Sequence, residues 1–132
     1  MALFTAAVQK EKTINILVVD DSKSMRNVIE YAIHDGGYSC ELANNGKMAL
    51  EVAQSQFFDL ILTDINMPEM DGFTLIQELR KLKNYKHIPI LVLTTEWSDE
   101  MKQKGREVNA TGWLIKPFDP VKLINTIEKV TA

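Results

Sequence analysis

Short, continuously apolar runs at regular intervals constrain this chain more than anything else in it. Asn15 to Asp20 (NILVVD), Phe58 to Thr63 and Ile88 to Leu93 (IPILVL) are of strand length, and only Asp59 interrupts the second. A strand with one wet face alternates polar and apolar residues, whereas an unbroken apolar run is covered on both faces. Tyr38 to Ala43 and Gly112 to Ile115 read as two further, weaker strands. A lone proline, Pro89, sits near the start of its run, where a missing N–H is tolerated.

Helical spacing fills the intervals. After Ser22, a natural N-cap, come Met25, Val28, Ile29, Ala32 and Ile33, and Gly36-Gly37 stops the helix. Asn44-Asn45-Gly46 is a turn. Lys47 to Gln54 is a short helix with Met48, Leu50, Val52 and Ala53 as its apolar part. Phe73, Ile76, Leu79 and Leu82 mark one face of a third, which runs into the basic cluster Lys81, Lys83 and Lys86. Ser98 to Asn109 is a polar helix anchored only by Met101 and Val108, and Gly105 weakens it by about 1 kcal/mol against alanine. Asp119 caps the closing helix, Pro120 takes its first position, and Val121, Ile124, Ile127 and Val130 line it. Alternating strands and helices imply an α/β fold, a parallel sheet with helices on both faces and right-handed crossovers.

A chain of 132 residues makes one domain. A net charge of -3 disfavours non-specific nucleic-acid binding. One cysteine, Cys40, cannot form an internal disulfide, so a reducing, cytoplasmic setting is expected. No run approaches the roughly 18 apolar residues of a membrane span. The first residues, MALFTAAVQKEKT, lack the basic start and apolar length of a signal peptide. Residues 1–12 are expected to be a flexible extension and 13–132 the domain, acting as a monomer.

Ligand chemistry in such sheets gathers outside the carboxyl ends of the strands. Here those ends carry Asp20 and Asp21, then Asp64, then Thr94, then Lys116. Two unit charges about 4 Å apart repel by roughly 4 kcal/mol at an effective dielectric of 20. Three carboxylates at one sheet edge therefore need counter-charge, and oxygen donors of this kind suit Mg2+. Lys116 offers a point charge for an anion and Thr94 a hydroxyl donor. A metal, a lysine and a hydroxyl around a carboxylate equip it to accept a phosphoryl group.

These residues lie in VVDDS (Val18 to Ser22), LTDINMPEMDG (Leu62 to Gly72), LVLTTE (Leu91 to Glu96) and TGWLIKPF (Thr111 to Phe118). On them the chain resembles a response-regulator receiver domain, and among these the stand-alone chemotaxis regulators of the CheY type, over about Thr13 to Val130. The resemblance implies a doubly wound (βα)5 fold, flavodoxin/CheY-like, with strand order 2-1-3-4-5. It implies Asp64 as phosphoacceptor, with Thr94 and Lys116 holding the phosphoryl group. It implies Mg2+ on Asp21, Asp64 and the backbone carbonyl of Asn66, with Asp20 helping through water. Asn66 and Glu96 fall on the two positions that tune dephosphorylation, and the Lys116-Pro117 bond is expected to be cis. Trp113 stands where the family usually carries Tyr or Phe as its switch residue. Trp97, Lys102, Lys104, Arg106 and Lys122 would join it on a partner face.

The implied partners are a CheA-like histidine kinase, a flagellar motor switch protein and a phosphatase. The implied function is a phosphorylation-controlled binding switch rather than a multiple-turnover enzyme. A phosphate sink or relay intermediate is the alternative. Other uses of the fold fit less well. A flavin or nucleotide site would not open with Asp20-Asp21, and a phosphatase would need a second acid two positions after Asp64, where Asn66 stands. A receiver-fold module that is never phosphorylated would not need the intact acidic set.

Overall fold

The computed structural model describes residues 13–132; the expected extension over 1–12 lies outside the described residues. The chain runs β1 (Asn15–Val19), α1 (Lys23–Asp35), β2 (Ser39–Ala43), α2 (Gly46–Ser55), β3 (Leu60–Thr63), α3 (Gly72–Lys81), a 3₁₀ turn (Lys83–Tyr85), β4 (Ile90–Thr94), α4 (Asp99–Glu107), β5 (Gly112–Ile115) and α5 (Pro120–Thr131). The strands form one five-stranded sheet in the order β2-β1-β3-β4-β5, every pairing parallel. This is the expected doubly wound α/β fold.

Period-2 alternation splits the apolar runs between the two faces of the sheet. Ile16, Val18, Leu60, Leu62, Leu91 and Leu93 pack with Ile29 and Ile33 of α1 and Leu123 and Ile127 of α5. Leu17, Val19, Ile61, Ile90 and Val92 pack with Ala49 and Ala53 of α2 and Leu75, Ile76 and Leu79 of α3. Met101 and Val108 bring α4 onto this second face as partly buried neighbours. Among the described residues no helix is long and apolar enough to cross a membrane.

Each α-helix starts at a residue whose side chain accepts a backbone N–H: Ser22, Asn45, Asp71, Ser98 and Asp119. Such caps are each worth about 1 kcal/mol. They fix where each strand-to-helix loop ends, and so the shape of the sheet's carboxyl edge.

Several boundaries differ from the sequence reading. β3 begins at Leu60 because Phe58 gives its N–H to the Tyr85 hydroxyl rather than to the ladder. β4 begins at Ile90, after Pro89, and extends to Thr94. The segment read as a basic helix end is a 3₁₀ turn that buries Tyr85, whose hydroxyl donates to the carbonyls of Ala53 and Gln56. Val28, Met48 and Val121, expected on apolar faces, are exposed. They flank the buried stripes of their helices, which centre on Ile29/Ile33, Ala49/Ala53 and Leu123/Ile127.

Candidate functional site

The parallel register delivers the polar strand ends to one edge. Val19 pairs with Ala43 on one side and Thr63 on the other, so Asp20 and Asp64 leave the sheet side by side. Asp64 gives its N–H to the Val19 carbonyl, and Asp20 gives its own to that of Ala43. The backbone N–H of Lys116 donates to the Thr94 carbonyl, which ties the last strand end to the same edge. Four neighbouring loops thus converge by backbone geometry before any side chain acts.

Lys116 is the centre of the site. Its ammonium donates to Asp20 Oδ2 at 2.6 Å and to Asp64 Oδ2 at 2.9 Å. All three side chains are nearly out of water, at 8 %, 2 % and 12 % exposure. Burial by itself would push the lysine down, but the hydrogen bonds and charges of Asp20 and Asp64 outweigh it, and the net shift is upward from 10.5. Lys116 precedes a cis peptide bond to Pro117, as expected.

The remaining carboxylate oxygens are also held. Asp20 Oδ1 accepts the Ser22 N–H at 2.9 Å, and Asp64 Oδ1 accepts the Ile65 N–H at 2.6 Å. Arg26, which sequence reasoning missed, donates to the Asp20 carbonyl at 2.7 Å. A basic residue one turn into α1, the helix that follows an acidic strand end, was the available signal. Gly72, the end of the LTDINMPEMDG motif, starts α3. A Cβ there would run into the Asp64 carbonyl and lie 2.8 Å from Ile65 Cα, so only glycine lets the helix close behind the acidic loop.

Asp20, Asp21 and Asp64 each place a carboxylate oxygen within 4.8 Å of the others. Three carboxylates thus face one ammonium. The imbalance amounts to two negative charges on hard oxygen donors, and a Mg2+ ion is the cation whose charge and ligand preference fit it. Asp21 is exposed, so a Mg2+ held here by Asp20, Asp21 and Asp64 would be reachable by water and by a substrate oxygen.

Thr94 is fully buried, and its Oγ1 accepts the Glu96 N–H at 3.3 Å. Asn66 Nδ2 donates to Glu96 Oε2 at 2.9 Å, which joins the residues two places beyond Asp64 and Thr94 across the mouth of the site. Trp113 gives its indole N–H to the Glu96 carbonyl at 2.8 Å. It stacks on Phe73 with ring centroids 6.2 Å apart, and packs with the α2/α3 face rather than on the last helix. Trp97 is 72 % exposed. Lys102 and Arg106 line, with Trp113, a cavity of about 210 Å3, and Lys122 lines, also with Trp113, another of about 300 Å3. Lys104 is exposed on α4.

Residues 16–128 match the model of the response regulator receiver domain family. The chain belongs to that family. The receiver domain is 40 % identical to the transcriptional regulatory protein ZraR of Escherichia coli K12 over 119 residues, 90 % of this chain and 26 % of ZraR. The sequence thus spans about a quarter of that relative's length. Among solved structures it superposes on the Vibrio cholerae chemotaxis protein CheY4 with a TM-score of 0.86 and 46 % identity, covering 90 % of this chain and 99 % of that one. It also superposes on the receiver domain of a Pseudomonas aeruginosa sensor histidine kinase with magnesium in its active-site cleft. There the TM-score is 0.84 and the identity 28 %, over 91 % and 98 % of the two chains.

Proposed function

We propose that this receiver domain is a phosphoacceptor switch of a two-component system, with Asp64 as acceptor. The observation that carries the reading is the buried Lys116 bridge to Asp20 and Asp64, in a cluster that keeps two more carboxylates than its one ammonium can balance. An Asp64 carboxylate oxygen attacks the phosphorus of a histidine kinase's phosphohistidine. The new P–O bond forms as the P–N bond breaks, and the imidazole leaves and takes a proton. Water later cleaves the acyl phosphate to the carboxylate and inorganic phosphate. Asp20, Asp21, Asp64 and the Asn66 carbonyl would hold Mg2+. The ion, when bound, neutralises charge on the transferring oxygens. Lys116, released from Asp64 when the carboxylate becomes an acyl phosphate, pairs with the phosphoryl group. The Thr94 hydroxyl leaves the Glu96 N–H and donates to a phosphoryl oxygen.

The phosphoryl group adds roughly -1.5 to -2 charges and three strong acceptors. Movement of Thr94 acts on Glu96, whose carbonyl holds Trp113, so the acceptor site and the aromatic on the α4/β5 surface share one loop. Output is then a change in that surface, with Trp97, Lys102, Lys104, Arg106 and Lys122 around it. The similarity to CheY4 supports a chemotaxis role in the cytoplasm, with a CheA-like kinase as donor, a flagellar motor switch protein as target and a phosphatase that shortens the signal. Asn66 and Glu96 set the rate of self-dephosphorylation.

Intact mass after incubation with Mg2+ and acetyl phosphate tests the reading. One phosphoryl adduct is expected on the wild type, dependent on Mg2+ and absent in Asp64→Asn. No adduct from either acetyl phosphate or a phosphorylated kinase would refute it. Phosphotransfer from the kinase without any phosphorylation-dependent binding to a motor switch protein would favour a phosphate sink or relay.

A further inference from the structure

Two groups of three metal-ligating side chains occur among the described residues, and only one of them is the acidic strand-end cluster. The other is Glu30, His34 and Cys40. From their arrangement we infer a second metal site, for a thiophilic divalent ion of the zinc class, between α1 and the edge strand β2.

The local structure brings the three together for separate reasons. Glu30 and His34 are four residues apart on α1 and so share a face. Cys40 lies on β2 in register with Ile16 of β1, and its partly buried side chain belongs to the apolar cluster beneath α1. One ligand atom of each lies within 4.8 Å of the other two. A tetrahedral zinc ion with S, N and O ligands at about 2.0–2.3 Å holds them about 3.5 Å apart. The cluster therefore needs to close by at most about an ångström. His34 is exposed and Glu30 half-buried, so rotamer adjustment can supply that.

The donor set selects the ion. A thiolate and an imidazole favour zinc-class metals over Mg2+, and one carboxylate is a common third ligand. Three protein ligands leave a fourth position for water. Among the described residues, the three side chains have no hydrogen bond or ion pair to give up. On binding, the cation takes the place of the Cys40 thiol proton, which goes to solvent.

The site is separate from the acceptor centre. Cys40 is level with Ile16, four residues before Asp20, or about 13 Å along the strand. A bound ion would pin the edge strand to α1 without touching Asp64.

Titration of the full chain with Co2+, and then Zn2+, in excess Mg2+ decides the matter. The expected result is a thiolate-to-cobalt charge-transfer band that saturates at one equivalent and is bleached by Zn2+. Cys40→Ser should abolish the band. His34→Ala, at an exposed position, should keep the circular dichroism of the fold and weaken Zn2+ binding at least about tenfold, since even outer-shell changes cost that much. Asp64→Asn should leave both readings unchanged. Absence of the band, Zn2+ affinity unaltered by His34→Ala, or loss of binding in Asp64→Asn would each overturn the inference.

Discussion

Gly105 and Trp113 are fitted to each other. A Cβ added at Gly105 would lie 2.8 Å from Trp113 Cζ3 and 3.1 Å from Cε3, so the buried glycine of α4 is the floor on which the indole rests. In the sequence, Gly105 is simply a weak point in a polar helix. In the fold it makes room for an aromatic larger than the Tyr or Phe usual at position 113.

Gly105→Ala sets two effects against each other. Helix propensity alone would stabilise α4 by about 1 kcal/mol. Forcing a methyl against a packed ring costs about 1–3 kcal/mol. The expected outcome is net destabilisation, with the indole displaced and its N–H lost from the Glu96 carbonyl. Urea unfolding and tryptophan emission in a Trp97→Phe background would show it, as a lower midpoint and a red shift. A more stable protein with unchanged emission would disprove the fit.

Lys116→Met should leave the facing carboxylates of Asp20 and Asp64 nearly buried and without their cation. Breaking a buried pair from one side typically costs 3–5 kcal/mol. We expect about 3 kcal/mol of destabilisation in chelator-treated buffer, partly recovered as Mg2+ is added. Denaturant melts across a Mg2+ series would measure both. Equal stability of mutant and wild type without metal would mean that the bridge carries no net energy.

The same bridge predicts an alkaline limit. The folded lysine titrates above its ordinary 10.5, so the stability it confers is fully present at neutral pH and is lost only as pH rises through the folded value. Burial pushes Tyr38 and Tyr85 upward too, each with an acidic neighbour adding to it, and their contribution is lost in the same range. The stability difference between wild type and Lys116→Met should therefore stay flat from about pH 7 to 10 and shrink beyond it. A difference that shrank toward acid would have the wrong sign.

Cys40 should be a slow thiol. Burial, followed by Glu30 and Glu41, moves it from 9.0 to about 12. At pH 8 the native thiolate population is then about a thousandfold below that of an ordinary cysteine. Alkylation by iodoacetamide in metal-free buffer should be slower by a similar factor than in urea. Comparable rates in the two would contradict the protected environment.

What could be read in advance followed distance along the chain. Asp20, Asp64, Thr94 and Lys116 were legible because a parallel sheet sends every strand's carboxyl end to one edge, whatever the order of the strands. That order came with the family resemblance. The role of Gly105 was not legible, because it depends on a contact with another element. Tyr85 was hidden for a similar reason. It lies among lysines, and its burial rests on carbonyls at Ala53 and Gln56, about thirty residues earlier. Arg80, also unremarked, spans Asn109, Tyr85 and Ile88 by donating to their carbonyls, and no periodicity announces that.

Thr94→Ala should separate acceptance from signalling. Asp64, Lys116 and the acidic residues would remain, so the rate of adduct formation with acetyl phosphate should change little. The lost hydrogen bond to a charged phosphoryl group is worth about 1.5–3 kcal/mol. Driving a two-state equilibrium from 1:99 to 99:1 takes about 5.5 kcal/mol. One bond is therefore a large part of such a switching energy but not all of it: either Lys116 and backbone donors add to it, or the active state is already partly populated. The phosphorylated mutant should show a partial response of Trp113 emission, read in the Trp97→Phe background, between those of the bare and phosphorylated wild type. A full response would remove Thr94 from the coupling. No response at all would mean that the Thr94–Glu96–Trp113 chain carries the switch alone, and that Lys116 serves the chemistry but not the signal.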